Sequence, residues 1–343
     1  TDNKPNGSRF HKAHEDARFA TQNLATPQTD SPAYKLAFQD TEFLLRDDLR
    51  PVRFQLELLK PELLLDEAKI ASMLVIYGSA RIPSPEHADA VLAAAKTPEE
   101  QRIADRLVAK APYYTQAMRL AARASAVPRD EDGKRNFVVC SGGGPSIMEA
   151  ANRGAYECGA ESVGLNIVLP HEQAPNIYVT PSLSFQFHYF ALRKMHFLLR
   201  SRAVAVFPGG FGTFDEMFEL LTLVQTGKMK AMPILLFGKQ FWNSVVDFDA
   251  LADEGVINRR DLQLFKFVET AEEAWAHICD FWKDDAIGAL FITARRRFSG
   301  VYDWKILVHV QSSKRSLRRA DILRLGMKDT LQPLRVAEMK AVE

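Results

Sequence analysis

Hydrophobic and polar residues follow two patterns along this chain. Short apolar runs predict buried strands, and stretches with apolar residues three or four positions apart predict helices. The apolar runs recur through the middle of the chain, at residues 73–77, 137–140, 163–169, 203–207 and 233–237. Helical patterns lie between them, and strands that alternate with helices form parallel sheets. We therefore predict an α/β fold, a Rossmann-like doubly wound parallel sheet flanked by helices.

An N-terminal helical extension is expected before the first strand, between residues 31 and 71. Its apolar residues recur at helical spacing, and Pro51 and Pro61 predict short helices that break at each proline. The apolar faces of these helices need a partner, which is either the main domain or a second subunit.

Later helices are predicted mainly from their first residues. Thr97 precedes Pro98 and two glutamates, a pattern typical of a helix start, and this helix is expected to run towards Ala126. Further helices are expected after the glycine loop near residue 210 and at residues 241–251 and 271–282.

The patterns divide the chain into four parts. These are a loose polar arm at 1–30, the helical extension at 31–71, the Rossmann-like domain at 72–285 and a basic peripheral tail at 286–343. The tail carries three consecutive arginines at 295–297, and a short strand is expected at 306–310. Basic tails contact nucleic acid in some proteins, but a solvated tail is the simpler interpretation.

The composition argues against several classes of partner. The 343 residues include 44 Lys and Arg and 43 Asp and Glu, and a net charge of +1 gives no electrostatic case for nucleic acid or a membrane surface. Cys140, Cys158 and Cys279 lie far apart without ligand spacing, which argues against zinc and against a disulfide framework. There is no apolar signal core near Thr1 and no run of membrane-spanning length. We expect a cytoplasmic protein with a small-molecule partner.

The sequence PGGFGTFDE, residues 208–216, joins a predicted strand to a predicted helix. Gly209, Gly210 and Gly212 permit close approach of a ligand to the backbone, and the start of the following helix attracts phosphate. Thr213 is expected either to cap the helix or to donate its hydroxyl to the phosphate. Glu216 either completes a capping box with Thr213 or serves the chemistry of the site.

Two further loops are expected at the same edge of the sheet. Gly78 and Ser79 follow the first strand, and Gly142, Gly143 and Gly144 follow the second. The carboxyl ends of the strands are where open parallel sheets bind ligands. Tight packing of a strand against a helix does not require three glycines in a row, so we predict a second ligand loop.

The motif Pro-Gly-Gly-x-Gly-Thr-x-x-Glu resembles the hallmark of the Lonely-guy (LOG) family of phosphoribohydrolases, whose members were often mislabelled lysine decarboxylases. Arg193-Lys194 and the glycines at 142–144 fit this resemblance, which spans about residues 73–282. The resemblance implies that Arg193 is catalytic and that Lys194 belongs to the substrate site. Phe190-Ala191-Leu192 replaces the family's usual Met-His, and Ser146 stands where these proteins usually have glycine.

Together these features predict an AMP nucleosidase-like enzyme that hydrolyses the N-glycosidic bond of a purine nucleoside 5′-monophosphate, a cytokinin-type nucleotide or plain AMP. The products are the free base and ribose 5-phosphate. Glu216 is expected to stabilise the oxocarbenium-like sugar or to deprotonate water. Arg193 is expected to orient the ribose or assist the departing base, and the glycine loops to hold the phosphate.

Other reactions lack the residues they need. A complete G-x-G-x-x-G fingerprint, a lysine within the glycine loop and a recognisable Schiff-base lysine are all missing, which argues against dinucleotide, kinase and pyridoxal phosphate chemistry. We expect the reaction to need neither a cofactor nor a metal. The main alternative is a non-catalytic nucleotide-binding or sensing module on the same fold.

Three further expectations concern assembly and neighbouring polar residues. The resemblance implies a homodimer or larger assembly, since LOG-like proteins are typically dimers whose pockets are completed across the interface. Asn152 is expected to cap or solvate its helix. Glu149 and His188 are left open as participants in the site.

Overall fold

A sheet of seven strands lies at the centre of the computed structural model, which describes residues 11–170, 174–285 and 288–291. The strands are β1 (Met73–Tyr77), β2 (Val138–Ser141), β3 (Val163–Ile167), β4 (Ser184–Phe187), β5 (Ser201–Val206), β6 (Ile234–Phe237) and β7 (Lys266–Val268). Their spatial order is β4-β3-β2-β1-β5-β6-β7, and all neighbouring pairs are parallel. The chain therefore builds outward from β1 in both directions, and the predicted doubly wound, Rossmann-like fold is confirmed.

Helices cover both faces of this sheet. They are α1 (Ala13–Ala20), α2 (Thr41–Leu44), α3 (Arg50–Glu67), α4 (Ala88–Ala94), α5 (Pro98–Val108), α6 (Ala111–Ser125), α7 (Ile147–Glu157), α8 (Phe190–Leu199), α9 (Phe211–Gln225), α10 (Lys239–Val245), α11 (Phe248–Asp253) and α12 (Ala271–Phe281). On one side α6 and α7 pack together against β1 and β2, with α12 on α6. On the other, α3, α8 and α9 share a core with β1 and β5 that buries Leu65, Phe197 and Met217.

All five predicted strands are present, with ends that differ by a few residues. Two short strands were not predicted. In β4, Phe185 and Phe187 are buried while Gln186 between them is exposed, but four residues give too little alternation to distinguish a strand from a helix. In β7 only Val268 is fully buried, so this edge strand has no apolar run to mark it.

Two predicted helices are each divided in two. The helix from Thr97 begins as expected, with a capping box to Glu100, but it ends at Val108 and a new helix starts at Ala111. Pro112 is the cause, since it has no amide N–H to continue the ladder. The second division separates α10 from α11, where the Asp247 side chain accepts a hydrogen bond from the Ala250 amide at 2.9 Å and starts a new helix.

The prediction that Pro61 breaks the extension is wrong, because α3 runs through it for 18 residues. A proline inside a helix leaves the carbonyl four residues earlier without its usual donor. That carbonyl belongs to Glu57, and the Nε2 of His196 lies 3.0 Å from it. A carbonyl can only accept, so the imidazole donates this hydrogen bond and replaces the one that Pro61 cannot make.

The predicted N-terminal arm and the predicted C-terminal tail are only partly within the described residues. Residues 11–30 contain α1, which buries no side chain. The tail after residue 291, including the arginines at 295–297 and the expected strand at 306–310, lies outside the described residues, as do residues 171–173 after β3. Within the described ranges, no helix combines the length and the apolar character needed to cross a bilayer.

Candidate functional site

A cavity of about 810 Å³ opens at the carboxyl ends of β1 and β5, the two neighbouring strands between which the strand order reverses. This is the place where open α/β sheets bind ligands, and the volume lies within the range typical of small-molecule sites. The polar and glycine residues that line it are Gly78, Ser79, Arg81, Gly142, Arg193, Gly210, Gly212, Thr213, Asp215 and Glu216.

The start of α9 forms one wall of this cavity. Gly210 is the N-cap, and its carbonyl accepts hydrogen bonds from the amides of Thr213 at 2.9 Å and Phe214 at 3.1 Å. The amides of Phe211 and Gly212 precede these first helical bonds and belong to the open end of the helix. A Cβ atom at Gly210 or Gly212 would meet no atom within 4 Å, so the space beside this backbone is free for a ligand.

The capping box, one of the two alternatives for Thr213 and Glu216, is not formed. Thr213 is the third residue inside α9, and its side chain packs against Gly209, where a Cβ would overlap it. Thr213 is thus positioned by Gly209, and it still lines the cavity. The N-cap is a glycine with no side chain, which leaves the helix end accessible to an anion.

Glu216 projects from α9 into the cavity and is only 8% exposed. Burial raises its pKa to about 7, although the positive charges of Arg193 and Lys194 oppose the shift. A carboxyl group with a pKa near neutrality exchanges protons readily at physiological pH, as catalytic acids and bases do.

Arg193 reaches the same cavity from α8. Its Nε donates a hydrogen bond to the carbonyl of Leu165 at 2.7 Å, and its guanidinium carbon lies 5.2 Å from the centre of the Phe197 ring. A Cβ at Gly142 would stand 2.6 Å from Nη2 of Arg193. Glycine at position 142 is therefore needed for the arginine as well as for any ligand.

Lys194 does not line the cavity. Its Nζ forms ion pairs with Asp215 at 2.9 Å and with Glu219 at 3.0 Å. Burial alone would lower the pKa of Lys194, but hydrogen bonds to these two carboxylates raise it above its ordinary value. The lysine thereby joins α8 to α9 beside the site and adds positive potential near Glu216.

The loop after β2 is held by a buried polar network. Gly143 has a φ of +74°, and a Cβ there would overlap the side chain of Asn166. Asn152 is completely buried and accepts hydrogen bonds from Ser141 at 2.7 Å and from Asn176 at 2.9 Å. The expectation that Asn152 solvates its helix is wrong, because it holds the glycine loop in place.

The structure thus brings most, but not all, of the predicted site residues to one cavity. Eight line it: Gly78, Ser79, Gly142, Arg193, Gly210, Gly212, Thr213 and Glu216. Four do not line it: Gly143, Gly144, Lys194 and Gly209. Their contribution is to shape or charge the site rather than to face its interior.

The two residues left open by the sequence stand apart from the cavity. Glu149 accepts a hydrogen bond from the Tyr114 hydroxyl at 2.7 Å, and His188 is exposed with its amide bonded to Glu57. Among the described residues there is no group of three His, Cys, Asp or Glu side chains that could hold a metal ion.

Aromatic residues at the cavity were missed by sequence reasoning. Phe190 and Phe211 are 54% and 95% exposed at its lining, and Tyr77 contributes from the end of β1. Phe211 occupies the variable position of the glycine motif, so the motif itself gives no reason to single it out. Tyr77 carries the one hydroxyl group in the apolar run of β1, a signal that was present in the sequence.

Two solved structures of a molybdenum cofactor carrier protein from Chlamydomonas reinhardtii are similar to this chain. They are 18% and 15% identical, with TM-scores of 0.35 and 0.38. The alignments cover 60% and 62% of this chain and 95% and 98% of those chains.

Curated relatives match over a shorter region. Cytokinin riboside 5′-monophosphate phosphoribohydrolase LOG4 of Arabidopsis thaliana is 27% identical over 143 residues, 40% of this chain and 65% of the relative. LOG2 of the same plant is 28% identical over 153 residues, with 43% and 67% covered. Probable cytokinin riboside 5′-monophosphate phosphoribohydrolase LOGL3 of Oryza sativa subsp. japonica is 25% identical over 140 residues, with 40% and 64% covered.

The chain therefore spans 64% to 67% of the length of these relatives. Residues 148–278 also match a family model described as "Possible lysine decarboxylase". This segment contains Arg193, the glycine loop after β5 and Glu216. Over this region the chain is therefore similar to the Lonely-guy (LOG) family of phosphoribohydrolases.

Proposed function

We propose that this protein hydrolyses the N-glycosidic bond of a purine nucleoside 5′-monophosphate to the free base and ribose 5-phosphate. The observation that carries the proposal is the buried carboxyl group of Glu216, which shares one cavity with Arg193 and the open start of α9. The names of the curated relatives support the substrate class, since they act on cytokinin riboside 5′-monophosphates.

The 5′-phosphate would lie at the start of α9. The free space beside Gly210 and Gly212 lets backbone N–H groups approach an anion, and Thr213 adds a hydroxyl at the same wall. The helix end supplies partial positive charge, so the phosphate needs no metal ion for neutralisation there.

Glu216 would act at the anomeric carbon. Departure of the base leaves positive charge on the sugar, and a carboxylate next to that charge stabilises it or takes a proton from attacking water. A pKa of about 7 lets Glu216 return that proton within the same cycle. Arg193 is held by its hydrogen bond to the carbonyl of Leu165, lies against Gly142, and would orient the ribose or assist the departing base.

We place the catalytic domain at residues 72–285 and give the extension at 31–71 a supporting role. The carboxylate of Glu57 accepts hydrogen bonds from the amides of His188 at 2.8 Å and Tyr189 at 3.2 Å. These amides precede α8, so the extension caps the helix that carries Arg193. Cys140, Cys158 and Cys279 form no disulfide, which suits a cytoplasmic enzyme.

We also propose a homodimer. The exposed face of α3 carries an apolar stripe with helical spacing, and its side chains are 37% to 57% exposed: Val52, Leu56, Leu59 and Leu63. On the adjacent α8, Met195 and Leu199 are also apolar and exposed, at 45% and 46%. Apolar area of this kind is usually covered in a subunit contact, and pairing about a two-fold axis is the commonest arrangement.

The proposed reaction is tested by incubating the full chain with AMP, GMP, CMP and N6-isopentenyl AMP and separating the products by chromatography. Release of adenine, guanine or isopentenyladenine with ribose 5-phosphate, and little cytosine, is expected. Nucleotides that bind but stay intact would instead support a sensing module.

A further inference from the structure

The hydroxyl of Tyr77 is a buried polar group with no hydrogen-bond partner among the described residues, and Tyr77 lines the cavity. The residue is only 5% exposed. Buried hydroxyl groups are nearly always paired, and an unpaired one carries a free-energy cost. Because Tyr77 lines the ligand cavity, we infer that the missing partner is supplied by the ligand.

Tyr77 is held rigidly in this position. It is the last residue of β1 and pairs with Val206 of β5, and its carbonyl accepts a hydrogen bond from Phe207 at 2.8 Å. Its ring contacts Phe197 edge-on, with 5.1 Å between ring centres, and Arg193 lies against the same phenylalanine. The side chain is therefore fixed by a central strand and by the helix that carries Arg193.

The hydroxyl also keeps its proton. Burial, together with the nearby negative charge of Glu216, raises the pKa of Tyr77 well above its ordinary value of 10.0. Tyr77 is thus a hydrogen-bond donor throughout the physiological pH range, and it lines the same cavity as Glu216.

We propose that the Tyr77 hydroxyl donates a hydrogen bond to the 2′-hydroxyl of the ribose in the bound nucleotide. This inference rests on the proposed function, which places Glu216 at the anomeric carbon. The 2′-carbon is bonded to that carbon, so a donor that lines the same cavity as Glu216 is a candidate partner for the 2′-oxygen.

Two other atoms of the nucleotide fit less well. The ring oxygen is also bonded to the anomeric carbon, but it gains positive charge as the base departs and becomes a poor acceptor. The phosphate belongs at the start of α9, where Gly210 and Gly212 leave the backbone open. A hydrogen bond to the 2′-hydroxyl, by contrast, strengthens in the transition state of glycoside hydrolysis.

The inference is tested by calorimetric binding of ribose 5-phosphate and 2-deoxyribose 5-phosphate, neither of which contains the bond to be cleaved. The wild-type protein should prefer ribose 5-phosphate by about fivefold or more, the effect of one hydrogen bond. In Tyr77→Phe this preference should disappear. A preference that persists in Tyr77→Phe, or one that is absent from the wild type, overturns the inference.

Thermal unfolding of the ligand-free proteins gives a second readout. Removing an unpaired buried hydroxyl should leave the Tm of Tyr77→Phe equal to or above that of the wild type. A clear fall in Tm would show that the hydroxyl stabilises the protein itself, which contradicts a role reserved for the ligand.

The outcomes separate this inference from the proposed reaction. If the wild type releases base from AMP and Tyr77→Phe keeps the sugar preference, only the role of Tyr77 is overturned. If the preference depends on Tyr77 but no base is released, the role of Tyr77 stands and the proposed hydrolysis fails. Failure of the wild type to bind either sugar phosphate overturns the role of Tyr77, whereas the proposed reaction is judged by base release alone.

Discussion

The imidazole of His196 donates a hydrogen bond to the main-chain carbonyl of Glu57, with 3.0 Å between Nε2 and the oxygen. Pro61 leaves this carbonyl without a helical donor, and the buried histidine of α8 supplies one. The carboxylate of Glu57 also accepts hydrogen bonds from the amides of His188 and Tyr189, which precede α8. One residue of the extension therefore contacts both ends of the segment that presents Arg193.

Glu57→Ala should lower both stability and activity. It removes the acceptor for two amides at the start of α8, which costs about 1 kcal/mol in the free energy of unfolding. The loosened helix should also lower kcat/KM for AMP through Arg193. Glu67→Ala, at an exposed position of the same helix, is the matched control and should change neither quantity. Equal effects of the two substitutions in denaturant unfolding and in activity would argue against the cap.

Gly210→Val should weaken binding of AMP far more than binding of adenosine. The added side chain would enter the free space through which backbone N–H groups reach the phosphate. We expect at least about a tenfold rise in the Kd for AMP, roughly 1.4 kcal/mol, and a similar result for Gly212→Val. Calorimetry with both ligands checks this, and equal losses for AMP and adenosine would place the phosphate elsewhere.

The pH dependence of stability gives a test of Glu216 that needs no substrate. Its folded-state pKa of about 7 lies above the ordinary value of 4.5. The stability that depends on the protonated carboxyl group is therefore fully present below pH 4.5 and is lost as the group ionises, when the pH rises through 7. Glu216→Gln removes this loss and should be more stable than the wild type at pH 8, on the order of 3 kcal/mol.

At pH 5 that difference should shrink to under about 1 kcal/mol. Urea unfolding at both pH values measures it, with Glu67→Gln as a control that is expected to follow the wild type. A Glu216→Gln protein that is no more stable than the wild type at pH 8 would show that burial does not disfavour the carboxylate.

The apolar stripe on α3 predicts the oligomeric state. Light scattering during size-exclusion chromatography should give at least twice the chain mass of 38.6 kDa. Leu56→Glu combined with Leu59→Glu places charge within the stripe and should shift the protein towards the monomer, whereas Gln55→Glu beside it should not. A wild-type monomer at micromolar concentration that still releases base would contradict the proposed assembly.

The sequence was sufficient for the centre of the sheet because buried parallel strands are nearly continuous apolar runs. It was not sufficient for β4 and β7, which are short and half-covered, or for α3, where Pro61 reads as a break. The hydrogen bond that makes Pro61 tolerable comes from His196, 139 residues beyond Glu57. No local pattern carries information about such a partner.

The candidate site, like the fold, could be predicted from the sequence only in part. Glycine loops and the Arg193 and Glu216 positions were predicted from motif and resemblance, and they meet at one cavity. The ion pairs of Lys194, the burial of Asn152 and the unpaired hydroxyl of Tyr77 depend on contacts between distant segments. These contacts are visible only in the folded structure. They distinguish the residues that face the cavity from the residues that support it.

The central claim is that Glu216 carries out the cleavage, and base release by Glu216→Gln measures it most directly. With AMP at saturating concentration, chromatography should show no adenine from this variant, while its Kd for AMP stays within about tenfold of the wild type, roughly 1.4 kcal/mol. Glu149→Gln, a carboxylate bonded to Tyr114 outside the cavity, should release adenine like the wild type. Adenine release by Glu216→Gln at the wild-type rate would contradict the account.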